Sequence, residues 1–477
     1  MKSEIKKNFI YNVAYQILVL IIPFITLPYI SRVLGTLGVG IYSYTYSIVY
    51  YFMIFCMLGV AKYGNRSIAK ARDNKEQLSK TFKEIYIMQL ITSSIMLVIY
   101  IIYLIIFKNE YLRVAILQAL YVLSCAFDIN WFFFGIEKFK ITVTRNTIIK
   151  ILSLVLVFIF VKEQDDVWIY TLILAGTTLL SQIIIWPFLK KYINLKIKVR
   201  FKDIKKHFKN NLKMFLPVIA VAIYTMMDKT MLGIFSGVDE VGIYENAYKI
   251  YSVPISIITA LGTVMLPKSS NLIANSKNEE LKKYIYKSIE FVMFLSIPMA
   301  LGLMIVAKDF SILFFGKQFA KSGVVLMLLS ILIPVFSWGD VIRNQYLIPK
   351  EMDNKYIISA YLGAFVNLIM NLIFIPLYGS LGACYGTLVA EVVVAIYQTI
   401  SVKKELPLKK YIKLGIPFLL KTLFMSIIIY LIGGFIKSPL LKIILQAIVG
   451  VIIYFAFNHK YIFNIIGNIN FLKRKKD

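Results

Sequence analysis

The sequence predicts an all-α polytopic membrane protein: two pseudo-symmetric six-helix halves followed by two further C-terminal helices. Three observations carry this. Of 477 residues 59% are hydrophobic, more than the roughly half expected of a soluble chain. The apolar residues fall into about 14 runs of about 20, each long enough at ~1.5 Å per residue to cross a ~30 Å hydrocarbon core. A short stretch, VGIYSYTYSI (39–48), returns 202 residues later as VGIYENAYKI (241–250).

The first run, 10–34, follows Lys2, Lys6 and Lys7 but far exceeds a signal-peptide core and lacks a small-residue cleavage site, so it is read as a retained membrane helix. Pro23 and Pro28 favour a bend in it. The second, 40–61, opens with Gly-Ile-Tyr. Runs 84–107 and 112–135 follow, the latter with Trp131 near its end, where anchoring at the membrane interface is expected. Run 142–161 carries Arg145 and Lys150, and 167–188 completes the first half. After a basic linker come 212–235, 245–266, 286–307, 322–342, 356–377 and 381–401, then the extra pair 412–435 and 440–458. The expected divisions are 1–190, the linker 191–211, 212–402, and 403–477 with a basic tail.

The net charge of +29 could point to nucleic acid, but its placement argues against that. With the N-terminus inside, most of the 54 Lys and Arg fall on the inner side, as the positive-inside rule requires. Lys190 to Asn210 holds nine of them, whereas Ser236 to Tyr244 on the outer side holds none. Both termini are expected in the cytoplasm, and the inner face should attract anionic lipid.

The repeat extends beyond its core. SRVLG (31–35) aligns with DKTMLG (228–233), the second loop being four residues longer, and ARDNKEQLSK (71–80) aligns with ANSKNEELKK (274–283). The offset spans six helices, an even number, so both copies share one orientation: a parallel repeat. Taken singly, Gly40 and Gly242 suit tight turns, and Tyr42 and Tyr244 an interfacial aromatic belt.

Several chemistries lack material. Cys56, Cys125 and Cys384 lie in apolar runs without paired spacing, which indicates neither a disulfide framework nor a metal site. His207 and His459 are the only histidines, both outside the apolar runs, and no G-x-x-x-x-G-K-[ST] loop is present. No cofactor is expected.

DINWFFFGIEKFKITVTRN (128–146), DKTMLGIFSGVDEVGIYENAYKI (228–250) and NLIMNLIFIPLYGSLGACYGTLVAE (367–391) resemble the bacterial polysaccharide flippases, the Wzx-type oligosaccharide repeat-unit transporters of the multidrug/oligosaccharidyl-lipid/polysaccharide exporter superfamily. The resemblance covers nearly the whole chain. It implies two six-helix lobes around a central cavity in the bacterial cytoplasmic membrane. It also implies an undecaprenyl-pyrophosphate-linked oligosaccharide as cargo, alternating access, and partnership with a polymerase and a chain-length regulator.

A diphosphate crossing the bilayer needs cations, and a charge there costs ~2.5–3.5 kcal/mol without a partner. The candidate path cations are Arg32, Arg145, Lys150, Lys229 and Arg343. Arg145 and Arg343 also suit snorkelling to the interface, and Asp340 with Arg343 a local helix pair. Asp128, Asp228, Asp340 and Glu391 either neutralise these cations or bind a coupling ion. Glu391 is the best coupling candidate, with no Lys or Arg within a turn. Asn367 and Asn371, four apart, suit sugar hydroxyls or interhelical hydrogen bonds. Ala383, Gly386 and Ala390 form a small-residue packing face.

A lipid II flippase and a cation-coupled multidrug exporter share the expected fold. The exporter would favour an acid- and aromatic-dominated cavity. A glycosyltransferase or polymerase would need a larger outer loop than any found here.

Overall fold

The computed structural model describes residues 2–107, 110–194 and 196–464, and every regular element among them is helical. The basic tail expected at the C-terminus lies largely outside the described residues. By its contacts the chain forms two compact units, Met1–Glu245 and Asn246–Asp477.

The first unit contains α1 (Lys2–Met57), α2 (Val60–Ala71), α3 (Lys75–Ile106), α4 (Leu112–Phe127), α5 (Asn130–Gly135), α6 (Phe139–Phe160), α7 (Val167–Ile184), α8 (Trp186–Leu189), α9 (Phe201–Phe235) and the start of α10 (Val238–Ala274). Helix α1 packs on α3, α4, α6 and α9, and α4 on α7. In α2, Val60, Gly64 and Ile68 recur every four residues on the buried face, while Lys62, Arg66 and Lys70 lie off it. This amphipathic helix begins where the second apolar run ends.

Polar side chains meet free backbone donors at two helix-starting turns. Asn74 caps α3, its Oδ1 accepting from the backbone N–H groups of Glu76 (2.9 Å) and Gln77 (3.0 Å). Asp166 accepts from the Lys162 and Glu163 backbone amides at the turn leading into α7.

The second unit holds the remainder of α10, then α11 (Asn278–Phe315), α12 (Ala320–Ser330), α13 (Leu332–Ile342), α14 (Asp353–Tyr378), α15 (Ser380–Ser401), α16 (Leu408–Ile412), α17 (Gly415–Gly434) and α18 (Pro439–Phe457). Helices α14 and α15 form its most extensive seam, and α17 and α18 pack on α11. Two bonds tie the C-terminal pair down: Tyr454 donates to the Phe294 carbonyl (2.7 Å), and Lys442 pairs with Asp309 (2.6 Å).

Among the described residues, twelve helical segments are long and apolar enough to span a membrane, and the segments Lys317–Ser330 and Leu332–Leu347, bent by 40°, add a thirteenth when taken as one. The expected count of about 14 is not reached by this measure. Runs 10–34 and 40–61 belong to one element, α1, interrupted at Gly35, where the backbone turns to φ 68°.

Candidate functional site

The two copies of the repeated motif meet at Gly40 and Gly242, both in the first unit. A Cβ at Gly40 would overlap the Val238 carbonyl, and one at Gly242 would overlap the Thr36 carbonyl. Each would also crowd the other glycine's amide, at 3.2 Å and 3.1 Å. Thr36 and Val238 hold equivalent places in the two copies, so the contact is exchanged like that of an isologous interface. The glycines therefore serve a helix crossing rather than tight turns. The break in each copy lies five residues earlier, at Gly35 (φ 68°) and Gly237 (φ 91°), a conformation that favours glycine. This makes Gly237, not Gly233, the conformational counterpart of Gly35. Gly233 lies within α9 and packs on the Tyr44 ring.

Hydrogen bonds close the crossing. Thr36 Oγ1 donates to Asp239 Oδ1 (2.5 Å), and Ser47 and Thr230 share a bond of 2.8 Å. The adjacent acid and cation in α9 take different partners. Asp228 accepts from the Tyr244 hydroxyl (2.6 Å), and Lys229 Nζ reaches Glu245 Oε2 (2.6 Å). All four residues are at least nine-tenths buried. Tyr244 therefore belongs to this interior and not to an interfacial belt. Tyr42 is half-buried and bonds to the Tyr121 hydroxyl (2.9 Å), with the Tyr170 ring 5.0 Å away, centroid to centroid. Tyr46 stands edge-on to Tyr121 at 5.2 Å.

A second polar network grows from the break between α4 and α5. Interrupting a helix frees carbonyls that a membrane interior cannot solvate. Gln89 on α3 bonds those of Cys125 (2.6 Å) and Asp128 (2.8 Å), and Trp131 Nε1 bonds both Gln89 Oε1 (2.9 Å) and the Asp128 carbonyl (3.1 Å). Trp131 is thus 2% exposed and stacked on Phe82, so the expected interface anchor is a core residue. The Asp128 carboxylate accepts from the Asn130 backbone N–H (2.9 Å) and Nδ2 (2.7 Å), and Arg145 donates to Asn130 Oδ1 (2.7 Å). Asp128 and Arg145 are therefore linked through one amide side chain. Arg145 also donates to Asn146 (2.6 Å) and is 7% exposed.

The other first-unit candidates are set apart. Arg32 is exposed on α1, three residues before the Gly35 break, and Lys150 is half-buried on α6. A group not foreseen lies where α2, α3 and α9 approach: His207 joins the Tyr63 hydroxyl (2.7 Å) to Glu84 (2.8 Å).

In the second unit Asp340, 1% exposed, accepts from Arg343 and from Asn344 (2.9 Å) at the start of a π-helical turn, Arg343–Leu347. A Cβ at Gly262 on α10 would lie 2.6 Å from Asp340 Oδ2, so the absence of a side chain there admits the carboxylate. Asn367 and Asn371 are fully buried in the α14–α15 seam, Asn371 donating to Asn367 (3.2 Å), with Asn371 Oδ1 against the bare face of Gly386. Ala383 and Ala390 line the same seam, fully buried, and Glu391 is half-buried beside them on α15. Outside the spans, Glu405 accepts from Lys350 and Tyr346, whose hydrogen bonds hold its carboxyl below the usual range.

A family model for polysaccharide biosynthesis proteins matches residues 5–273. The chain belongs to that family. The match takes in the motif crossing, the Lys229–Glu245 pair and the Asp128 break. A putative O-antigen transporter of Shigella dysenteriae is 25% identical over 386 residues, 80% of this chain and 96% of the relative. A putative O-antigen transporter of Escherichia coli (strain K12) is 23% identical over 413 residues, 85% and 98% respectively. Among solved structures, the lipid II flippase MurJ in an inward closed conformation has a TM-score of 0.70 at 18% identity, covering 93% of this chain and 99% of that one. This last likeness is one of fold.

Proposed function

We propose that the chain is a flippase that moves lipid-linked oligosaccharide repeat units from the inner to the outer leaflet for capsule, exopolysaccharide or O-antigen synthesis. The observation that carries this reading is the match to two O-antigen transporters over nearly their entire lengths. Relatives named as transporters favour transport over catalysis, and the multi-pass helical architecture agrees. The carrier in this proposal is undecaprenyl pyrophosphate, the site of action the bacterial cytoplasmic membrane with both termini inside, and the mechanism alternating access. A polymerase and a chain-length regulator would work beside it.

The chemistry of the cargo supports assigning Arg32, Lys150, Lys229 and Arg343 to a cationic path for the diphosphate. Asp228 and Asp340 would temper buried charge in that path, and Glu391 would either do the same or take a coupling ion. Arg145 is occupied by Asn130 and Asn146, which favours a positioning role for it. Deleting the gene and extracting the lipids tests the function: the lipid-linked repeat unit should accumulate on the inner leaflet. Accumulation of lipid II, or of no lipid intermediate, would overturn the reading.

A further inference from the structure

Asn367 and Asn371, the residues expected to meet sugar hydroxyls, are fully buried in the α14–α15 seam. The first unit offers another set of neutral hydroxyls and amides. Tyr42, Tyr46 and Tyr50 follow one another at four-residue spacing along α1, with ring centroids 5.9 Å and 6.1 Å apart. Tyr170, Thr178 and Gln182 fall on the same spacing along α7. All six are half-buried. The outward side of α7 is a different one: Leu172, Leu180 and Ile183, all exposed, project away from this row. Tyr170 stands 5.0 Å from Tyr42, and Tyr121 on α4 meets both Tyr46 and Thr178. The two rows therefore form one strip inside the bundle.

Among the described residues the hydroxyls of Tyr46, Tyr50 and Tyr170 bond no protein group, and they are not shut off from solvent, unlike the Ser43 and Gln118 oxygens nearby. A phenol drawn halfway into a bundle needs a polar partner, and the space open at these three oxygens leaves that place to water or to a cargo. Each ring also sets carbon surface beside its hydroxyl. A sugar is built the same way, with hydroxyls around a carbon ring that has C–H faces. Glu245, which pairs with Lys229, lies within electrostatic reach of Tyr46 and Tyr170. The strip thus passes beside a cation assigned to the diphosphate, the group to which the first sugar of a lipid-linked oligosaccharide is attached. We propose that this strip is the saccharide-binding surface of the transporter, with Tyr46, Tyr50 and Tyr170 exchanging hydrogen bonds with sugar hydroxyls and Thr178 and Gln182 extending the contact. The assignment rests on the transport reading of the chain.

The test compares two lipids on the purified full-length protein: undecaprenyl pyrophosphate, which has no sugar, and the lipid-linked repeat unit extracted from the deletion strain. Wild type should bind the repeat-unit lipid about a hundredfold more tightly, the sum of three neutral hydrogen bonds. Tyr46→Phe with Tyr170→Phe removes two oxygens and no ring, and should cut that preference about thirtyfold. Undecaprenyl pyrophosphate, with no sugar contact to lose, should bind both proteins alike. Equal binding of the two lipids by wild type, or an undiminished preference in the double variant, would overturn the sugar assignment and leave the transport reading intact. Binding of neither lipid by wild type would instead sink the transport reading, and the assignment with it. Should the double variant unfold, a repeat-unit lipid with a photoactivatable group on its sugar decides on wild type. Crosslinks at 42–50 and 170–182 support the strip, whereas crosslinks only elsewhere, α14 included, refute it.

Discussion

Gly40 and Gly242 sit in each other's surroundings: a side chain on either would strike the backbone carbonyl that stands at the equivalent place in the opposite copy of the motif. The pairing follows from a local two-fold relation between the copies, and it explains why both keep glycine five residues past the break in the helix. Overpacking costs ~1–3 kcal/mol even where side chains can yield, and here a main chain must move. Gly40→Ala and Gly242→Ala should therefore lower thermal stability by similar amounts and impair transport alike. Thermal unfolding of the two purified variants checks this. A large loss in one and none in the other would show that the contacts are not equivalent.

The repeat was legible because both copies keep Val, Gly, Ile and Tyr at matching places, and the apolar runs placed the spans for the same elementary reason of length. Its role was not legible. Sequence identifies a glycine but not whether its value lies in a positive φ, as at Gly35 and Gly237, or in a missing Cβ, as at Gly40 and Gly242. Trp131 shows the same limit. An aromatic near the end of an apolar run is usually an interface anchor, and only the tertiary position of Gln89 turns it into a buried donor. The Lys229–Glu245 pair joins residues on two helices, beyond the i, i+4 rule that exposes local pairs. The four-residue stripe of α2 is present in the sequence, but at 12 residues the helix is too short to stand out as a span of about 20.

Gln89→Leu tests the α4–α5 break. The substitution removes the side-chain donor to two carbonyls and one of the two acceptors of the Trp131 indole, three hydrogen bonds of net ~0.5–1.5 kcal/mol each. A loss of at least ~2 kcal/mol in unfolding free energy is expected, with the Trp131 fluorescence shifted by its changed surroundings. Gln89→Glu keeps an acceptor for the indole but sets a buried carboxylate oxygen against the two carbonyls, so it should be no more stable than Gln89→Leu. Wild-type stability in Gln89→Leu would mean that the break is held by other groups.

Glu405 gives a pH dependence. Its folded-state pKa is depressed, first by the hydrogen bond from Lys350 and then by that from Tyr346. The stabilisation is therefore fully present above the ordinary value of 4.5 and is lost as pH falls through that value toward the lowered one. Measured from neutral pH downward, the difference in melting temperature between wild type and Glu405→Gln should be constant above this window and shrink within it. A difference that grows on acidification would contradict the assignment.

Lys229 and Glu245 allow a structural role to be separated from a role in moving cargo. Both are about nine-tenths buried, and removing one member of such a pair strands the other charge at a cost of ~3–5 kcal/mol. Lys229→Met and Glu245→Gln should each destabilise the protein by that order, whereas the double variant, carrying no stranded charge, should recover most of it. Transport then decides the rest. A lysine that only holds the fold would let the double variant work once it is stable. A lysine that meets the diphosphate would leave the double variant folded, inserted in the membrane and inactive, and this is the expected outcome. Recovery of export by the double variant, measured as polysaccharide made in the deletion strain, would remove Lys229 from the proposed path and leave it a structural ion pair.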